Sequence, residues 1–351
     1  MRDCHNNRLL DPWFDRDPDA LRVPTRGIGS RVVVGCVLFV AGYLGWSWVF
    51  APEPLPDTDA MGSMSGVRAS APLPDPPSIG WAASVSEAAN FSGDAIPLGP
   101  PEPGDWLYHF PEAGQSYEQF QEHVRNRRDN NRYVIYVVPM GALRPQSERT
   151  VDIVAEYLDA YYDSPSRVLP RVAIPSVAWD PVRRQYDARK ILPALQRALP
   201  DDALGMVAVT EVDLYIPSVN YVFGLGSFER KVAVMSLYRF GADFRSTAEP
   251  GTVLRRSLTV AAHEFGHVLS MRHCTEFRCL MNGTNSLEDA DRHPQHLCPV
   301  CARKAQHALQ FHRQDRYARL QYFYEKYRMP AEVDFVERRL DPPEVELVVA
   351  P

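Results

Sequence analysis

Histidines and a glutamate lie close together in the stretch 263–273, which reads HEFGHVLSMRH. His263 and His267 are four residues apart, so on a helix both side chains project from one face and two imidazoles can bind the same zinc ion. Glu264 follows the first histidine directly, where its carboxylate can accept a proton from a water molecule on the metal. The pattern predicts hydrolysis at a zinc centre.

A further histidine, His273, follows His267 by six residues. In an unbroken helix of 3.6 residues per turn it would point away from the other two. The preceding segment 253–262, VLRRSLTVAA, contains no Pro or Gly and spaces its apolar residues as a helix does. We therefore expect the helix to end near Ser270 and the chain to turn back, so that His273 completes the site. Such a turn commonly requires a positive φ angle.

Cysteines form a second cluster soon after the histidines. The C-P-x-C element at 298–301 directs backbone N–H groups toward thiolates, and with two preceding cysteines it can build a tetrahedral structural zinc site. Two disulfides are the alternative. The C-x₂-C loop is short for an unstrained disulfide, which favours zinc. The residues concerned are Cys274, Cys279, Cys298 and Cys301.

Together these residues resemble the archaemetzincin family of zinc metallopeptidases. In that family three zinc-binding histidines run directly into a cysteine, followed by C-x-M and C-x-x-C elements. Here the corresponding segments read HEFGHVLSMRHC, CLM and CPVC. The resemblance continues through 281–304 and extends upstream to 103–120, 134–143 and 219–226.

The resemblance implies a catalytic zinc ion bound by His263, His267 and His273, with Glu264 as the general base. It implies that Met281 is the Met-turn methionine beneath the metal and that the four clustered cysteines bind a second, structural zinc ion. The family has glycine where this chain has Ser270. A serine in a left-handed turn costs about 1 kcal/mol, so we expect glycine at this position to stabilise the domain by up to that amount.

The implied fold is an α/β (α+β) metzincin-like zincin domain. It would contain a mixed twisted sheet, an active-site helix and a Cys-rich zinc-binding C-terminal part. An edge strand of the sheet is expected to align an extended peptide or protein substrate by β-augmentation. A plain edge strand without that role is the alternative. The candidate residues are Asn220, Tyr221, Val222, Phe223 and Gly224.

The N-terminal third of the sequence differs from the rest. Residues 32–50, VVVGCVLFVAGYLGWSWVF, carry no charge and are long enough to cross a bilayer. Arginines are more frequent before this run than after it, which predicts a single-pass membrane protein with an extracytoplasmic catalytic domain. Thiols oxidise readily there, which makes disulfides more credible. The predicted parts are a cytoplasmic segment 1–31, a transmembrane anchor 32–50, a Pro-rich disordered stalk 51–102, the peptidase domain 103–330 and a tail 331–351.

Composition limits the remaining functions. The formal net charge of −6 offers no basic surface for nucleic acid, which we do not expect as a partner.

The pattern of apolar residues predicts the secondary structure. Apolar runs predict strands at 133–138, 168–177, 206–210, 220–226 and 232–237, and helical spacing predicts helices at 148–162, 188–199, 252–269 and 302–327. The sequence predicts a zinc metallopeptidase. The alternatives are a catalytically silent zinc protein that binds a partner and an amidase for a non-peptide amide.

Overall fold

The computed structural model of the protein describes residues 95–241 and 250–340. The helices are α1 (Trp106–His109), α2 (Tyr117–His123), α3 (Pro145–Tyr162), α4 (Ala188–Arg197), α5 (Pro250–Val268), α6 (Leu287–Arg292), α7 (Pro299–Leu309), α8 (Arg313–Lys326) and α9 (Pro330–Leu340), with a 3₁₀ turn at Ser176–Ala178. The strands are β1 (Val134–Pro139), β2 (Ser166–Val168), β3 (Trp179–Asp180), β4 (Gln185–Asp187), β5 (Ala203–Thr210), β6 (Leu214–Ile216), β7 (Val219–Val222), β8 (Gly224–Ser227) and β9 (Val232–Ser236).

The larger sheet has the strand order β2-β1-β5-β9-β8. Strands β2, β1, β5 and β9 run parallel, whereas β8 is antiparallel to β9 and forms one edge. The central strands are buried along their length. This burial explains why they read as continuous apolar runs such as VIYVV rather than as alternating patterns. The mixed α/β fold expected from the sequence is confirmed.

A second mixed sheet has the order β3-β4-β6-β7. Its last strand, β7, passes directly into the edge strand β8 of the larger sheet through Phe223. The Phe223 side chain is buried and its ring lies 5.7 Å from that of Phe240. The chain therefore changes sheets at a side chain anchored in the core. The single strand predicted at 220–226 is thus two short strands in different sheets.

Helix α5 packs on the larger sheet and against α3. Phe265 of α5 lies with its ring centroid 5.1 Å from that of Tyr162, and the Tyr162 hydroxyl donates a hydrogen bond to the carbonyl of Ala262 at 2.6 Å. At the C-terminal end of α5, the buried Asn126 amide donates to the carbonyls of Leu204 and Val268. These contacts fix the helix against the centre of the sheet.

The folded part extends beyond the predicted limits of 103 and 330. Backbone hydrogen bonds join Leu98 to Glu276 and Arg278 to Ile96, each at 2.8 Å. At the other end, α9 occupies the beginning of the predicted tail and buries Val336. The helix predicted at 302–327 is divided into α7 and α8, because Gln310 adopts a left-handed φ of 58° and ends α7.

The predicted membrane localisation is contradicted. Within 95–241 and 250–340, no helix combines the length and the apolar character needed to cross a bilayer. The long helices α3 and α5 carry charged residues such as Asp152 and Arg256 and bury one face in the core, which accounts for this result. The stretch predicted as an anchor, 32–50, lies outside the described residues.

Candidate metal centre and active site

Helix α5 ends at Val268, and Ser270 follows with a φ angle of +71°. The expected left-handed turn is therefore present. Its strain is offset locally, because the Ser270 hydroxyl accepts a hydrogen bond from the backbone N–H of Arg125 at 3.0 Å. The Ser270 carbonyl also accepts a hydrogen bond from the side chain of Gln115 at 3.2 Å. Both contacts come from the segment that follows α1, which the sequence did not connect with this turn.

The turn brings the predicted histidines together. The ring centroid of His273 lies 5.3 Å from that of His263 and 5.0 Å from that of His267. One ring nitrogen from each residue belongs to a set whose members all lie within 4.8 Å of one another. This spacing fits one metal ion bound by three imidazoles.

Hydrogen bonds at Nδ1 determine which nitrogens are available. His263 Nδ1 and His267 Nδ1 each lie 2.8 Å from a carbonyl oxygen, of Leu280 and Met271 respectively. A carbonyl oxygen only accepts, so Nδ1 carries the proton. Burial lowers the pKa of His263 and lowers that of His267 to about 3, so both rings are neutral and their Nε2 atoms carry lone pairs.

The two Nε2 atoms lie 3.0 Å apart. Two unprotonated nitrogens this close repel each other, and a cation bound by both relieves that repulsion. Imidazole nitrogen is a preferred ligand of zinc. The donor set is therefore chemically suited to zinc.

His273 differs from the other two histidines in its Nδ1 partner. Both carboxylate oxygens of Glu112 lie close to His273 Nδ1, at 3.0 and 2.9 Å. The indole N–H of Trp106 donates to the same carboxylate at 2.6 Å. Sequence reasoning missed Glu112, because it lies 161 residues before His273 and no local spacing links the two.

Glu264 is buried beside the histidines, with 6% of its surface exposed. Burial raises the pKa of Glu264 to about 8, although a hydrogen bond from the backbone N–H of Gly226 opposes this shift. Strand β8 lies against this side chain. A methyl group at Gly224 would come within 2.5 Å of the Glu264 carboxylate, so only glycine fits there without displacement.

Strand β8 also presents backbone groups to the free edge of the sheet. The Ser236 N–H donates to the Phe223 carbonyl at 2.9 Å, which directs the polar groups of Phe223 toward β9. In an antiparallel ladder this orientation alternates. The N–H and C=O groups of Gly224 and Gly226 consequently point away from β9, toward the open edge of the sheet.

Met281 lies beneath the histidine helix. It is fully buried, and a methyl group at Gly266 would lie 2.4 Å from the Met281 sulfur. Its carbonyl accepts a hydrogen bond from the Cys274 N–H at 2.7 Å. The side chain of Asn282 accepts from the Cys279 N–H and donates to the Cys274 carbonyl, both at 2.7 Å. This turn therefore connects the histidine cluster to the cysteines.

The predicted cysteine cluster forms in the interior. Cys274, Cys279, Cys298 and Cys301 are buried free thiols whose sulfur atoms all lie within 4.8 Å of one another. Backbone N–H groups approach two of the sulfurs: those of Cys298 and Met281 lie 3.2 and 3.4 Å from Cys279 Sγ, and that of Cys301 lies 3.5 Å from Cys298 Sγ. Burial raises the pKa of the Cys279 thiol, so a thiolate here needs a cation. The arrangement fits a tetrathiolate zinc site.

Comparison with known proteins agrees with this geometry. Residues 147–307 match the model of peptidase family M54. Archaemetzincin-2 of Pongo abelii is 34% identical over 256 residues, which is 62% of this chain and 71% of the relative. The archaemetzincin of Thermococcus kodakarensis is 34% identical over 180 residues, which is 49% of this chain and 94% of that protein. The chain belongs to the archaemetzincin family.

A solved archaemetzincin structure from Archaeoglobus fulgidus is 32% identical to this chain, covers 49% of it and 99% of the solved chain, and has a TM-score of 0.42. The family assignment itself depends on the sequence relatives. As an archaemetzincin, the protein is a zinc metallopeptidase with a mixed α/β fold.

The predicted substrate strand is only partly adjacent to the centre of this archaemetzincin. Asn220, Tyr221 and Val222 lie in β7 of the second sheet, where the Tyr221 hydroxyl donates to the carbonyl of Asn285. Phe223 is the buried junction, and of the predicted residues Gly224 alone belongs to β8 and reaches Glu264. Gly226, which belongs to the predicted strand 220–226 but not to the five candidate residues, also lies in β8. The alternation G-x-G in a short strand was the available signal, since glycine in a strand often marks a close approach.

Proposed function

We propose that this archaemetzincin hydrolyses peptide bonds at a zinc ion held by His263, His267 and His273, with Glu264 as the general base. The observation that supports this most directly is the convergence of Nε2 atoms whose Nδ1 partners are already satisfied, directly beside a buried carboxylate. A zinc ion bound there supplies Lewis acidity, which activates water and polarises the scissile carbonyl.

The protein's own residues supply the proton transfers and the orientation of the substrate. Burial alone raises the pKa of Glu264 to about 8, and the positive charge of a zinc ion at the histidines would oppose this shift and favour the ionised carboxylate. In that form Glu264 accepts the proton of the attacking water and then donates it to the leaving amine. The hydrogen bond from the Gly226 N–H holds this carboxylate on the side of the edge strand. Burial of Glu264 excludes bulk water from the base, which strengthens its electrostatic interactions with the reacting groups.

Strand β8 would bind the peptide backbone. The outward N–H and C=O groups of Gly224 and the C=O group of Gly226 can form ladder hydrogen bonds with an extended substrate, while the Gly226 N–H is already used by Glu264. Since these two residues have no side chains, the substrate can approach the edge closely. We assign the substrate-aligning role to β8 and not to Asn220, Tyr221 and Val222, which belong to the second sheet.

A second zinc ion, bound by Cys274, Cys279, Cys298 and Cys301, would have a structural role. Cys274 follows His273 directly, so a metal at the thiolates restrains the backbone next to the third histidine. This arrangement supports catalysis by keeping His273 in place, without contact with the substrate.

The silent-protein alternative was based on Ser270, and it loses that support because the turn forms with positive φ and a hydrogen-bonded hydroxyl. The amidase alternative has no observation in its favour. The test is hydrolysis of a diverse peptide library by the purified full chain before chelation, after chelation and after zinc is restored. We expect activity to be lost and regained with the metal. Peptide hydrolysis that survives complete metal removal, or its absence in the zinc-loaded protein, would contradict the proposal.

A further inference from the structure

The carboxylate of Glu112 lies on the outer side of His273. Its two oxygens are 3.0 and 2.9 Å from His273 Nδ1, and its side chain is only 9% exposed. The Nδ1 atoms of His263 and His267 face neutral carbonyl oxygens instead. Among these three histidines, His273 is therefore distinguished by an anionic partner.

Glu112 is held in this position by the segment around α1. The Trp106 indole donates to its carboxylate at 2.6 Å, and the Trp106 ring meets that of His273 edge-on, with centroids 5.6 Å apart. Trp106 also packs on Gly283, just after Met281, where a methyl group would lie 2.4 Å from the indole. The carboxylate is thus anchored to both the third histidine and the Met281 turn.

Hydrogen-bond geometry assigns the roles of the groups at this contact. Both Glu112 oxygens lie within 3.0 Å of His273 Nδ1, so the imidazole donates its N–H to the carboxylate and leaves Nε2 unprotonated. The Trp106 indole N–H can only donate, so it also requires an acceptor at Glu112.

We propose that Glu112 is a positioning residue of the zinc centre, which fixes the tautomer and ring orientation of His273 and strengthens its Nε2 as a metal donor. With its proton held at Nδ1 by a carboxylate, the imidazole presents Nε2 to the metal and gains electron density there. This inference rests on the proposed function, in which the histidines bind zinc. It deepens that function by adding a residue from outside the 147–307 region matched by the family model.

The test compares zinc affinity in matched variants of the full chain. Glu112→Gln keeps the shape of the side chain and an acceptor for the Trp106 N–H, but it removes the charge. Glu112→Asp keeps the charge on a shorter side chain. Glu102→Gln removes a carboxylate from an exposed position in the same segment and is the control. Zinc dissociation constants are measured by competition with a chelator on protein whose cysteine cluster is already loaded with zinc, and cobalt added to that protein reports the ligand field at the histidines.

We expect Glu112→Gln to weaken zinc binding at the histidines by roughly 10–100-fold and to alter the cobalt spectrum. Glu112→Asp should recover part of the loss, and Glu102→Gln should match the wild type. Trp106→Phe leaves the carboxylate charge but removes a donor that orients it, so it should give a smaller loss of zinc affinity. It is the second test variant if Glu112→Gln folds poorly.

The outcomes separate the two proposals. If the wild type binds zinc at the histidines and Glu112→Gln binds it within about two-fold of Glu102→Gln, with an unchanged cobalt spectrum, the role assigned to Glu112 is overturned and the proposed function remains. If the wild type binds no zinc at the histidines, the proposed function fails and this inference fails with it. Equal losses in Glu112→Gln and Glu112→Asp would show that shape and not charge matters, which also overturns it.

Discussion

The backbone N–H of Gly226 donates a hydrogen bond to the carboxylate of Glu264. The same glycine lies directly on the active-site helix, since a methyl group on it would be 2.4 Å from the Glu264 carbonyl oxygen and 2.8 Å from the His267 Cβ. Edge strand and helix are therefore in backbone contact at the centre of the site. The helix can approach the strand this closely only because residue 226 is glycine and has no side chain.

Gly226→Ala should consequently separate β8 from α5. We expect a destabilisation of about 1–3 kcal/mol from overpacking, together with a loss of peptidase activity larger than the loss of folded protein. Gly251→Ala, in α5, is the matched control, because an added methyl group there meets no atom within 4 Å. We expect it to be neutral or to stabilise the protein by about 0.5–1 kcal/mol. Urea unfolding measures the stability of each variant, and initial rates on one peptide measure its peptidase activity. Normal stability and activity of Gly226→Ala would contradict the close contact.

Glu264→Gln tests the general base. It preserves the side-chain volume and an acceptor for the Gly226 N–H but cannot take a proton, so hydrolysis should fall by at least about 10²–10⁴-fold while zinc content stays unchanged. Glu229→Gln, on the exposed turn between β8 and β9, is the control and should behave as the wild type. The hydrolysis rate and the zinc content of both variants are measured on the same samples. Turnover near the wild-type value in Glu264→Gln would rule out its assigned role.

Substitutions of Ser270 separate backbone strain from hydrogen bonding. Glycine removes a strain of about 1 kcal/mol but also removes the acceptor for the Arg125 N–H, whose hydrogen bond contributes a similar amount. We expect Ser270→Gly to change the free energy of unfolding by less than about 0.5 kcal/mol. The stabilisation of up to about 1 kcal/mol predicted from the sequence considered the strain alone.

Ser270→Ala keeps the strain and loses the hydrogen bond, so it should destabilise the protein by about 1 kcal/mol. Thermal and urea unfolding of the wild type, Ser270→Gly and Ser270→Ala, compared side by side, test both expectations. An alanine variant as stable as the wild type would show that the hydroxyl contributes nothing. A glycine variant clearly less stable than alanine would contradict the left-handed turn.

The cysteine cluster predicts a second equivalent of zinc. Elemental analysis of the purified chain should give two zinc ions, and Cys279→Ser should retain one with a lower thermal midpoint, because the tetrathiolate site stabilises the folded state directly. Cys4→Ser, far from the cluster in the sequence, should leave the metal content unchanged. One zinc ion in the wild type, combined with disulfides detected among Cys274, Cys279, Cys298 and Cys301 by mass spectrometry, would refute the assignment.

The histidine and cysteine residues could be identified from the sequence because their spacing encodes their geometry. Two histidines one helical turn apart must share a face, and the need for His273 to reach them predicted the left-handed turn at Ser270, which is present. The central strands were recognisable for a similar reason, since burial on both faces leaves continuous apolar runs.

Contacts between distant segments could not be predicted in this way. Glu112 reaches His273 through the packing of Trp106 on Gly283, and Asn126 reaches Val268 through a buried amide. Neither contact leaves a pattern in the neighbouring sequence from which it could be predicted. The change of sheet at Phe223 was also hidden, because a short apolar strand looks the same whether it continues or turns into another sheet.

His273 and Cys274 are consecutive residues that belong to different clusters. A single peptide unit is therefore common to both, and ordering it at one cluster reduces the entropy that the other must lose on loading. Thermodynamic reciprocity then requires each ion to increase the affinity for the other by the same factor. Zinc uptake should accordingly be cooperative across the pair. With both clusters loaded as proposed, an agent that reacts only with the thiols would also lower the metal affinity of the imidazoles, although it does not touch them.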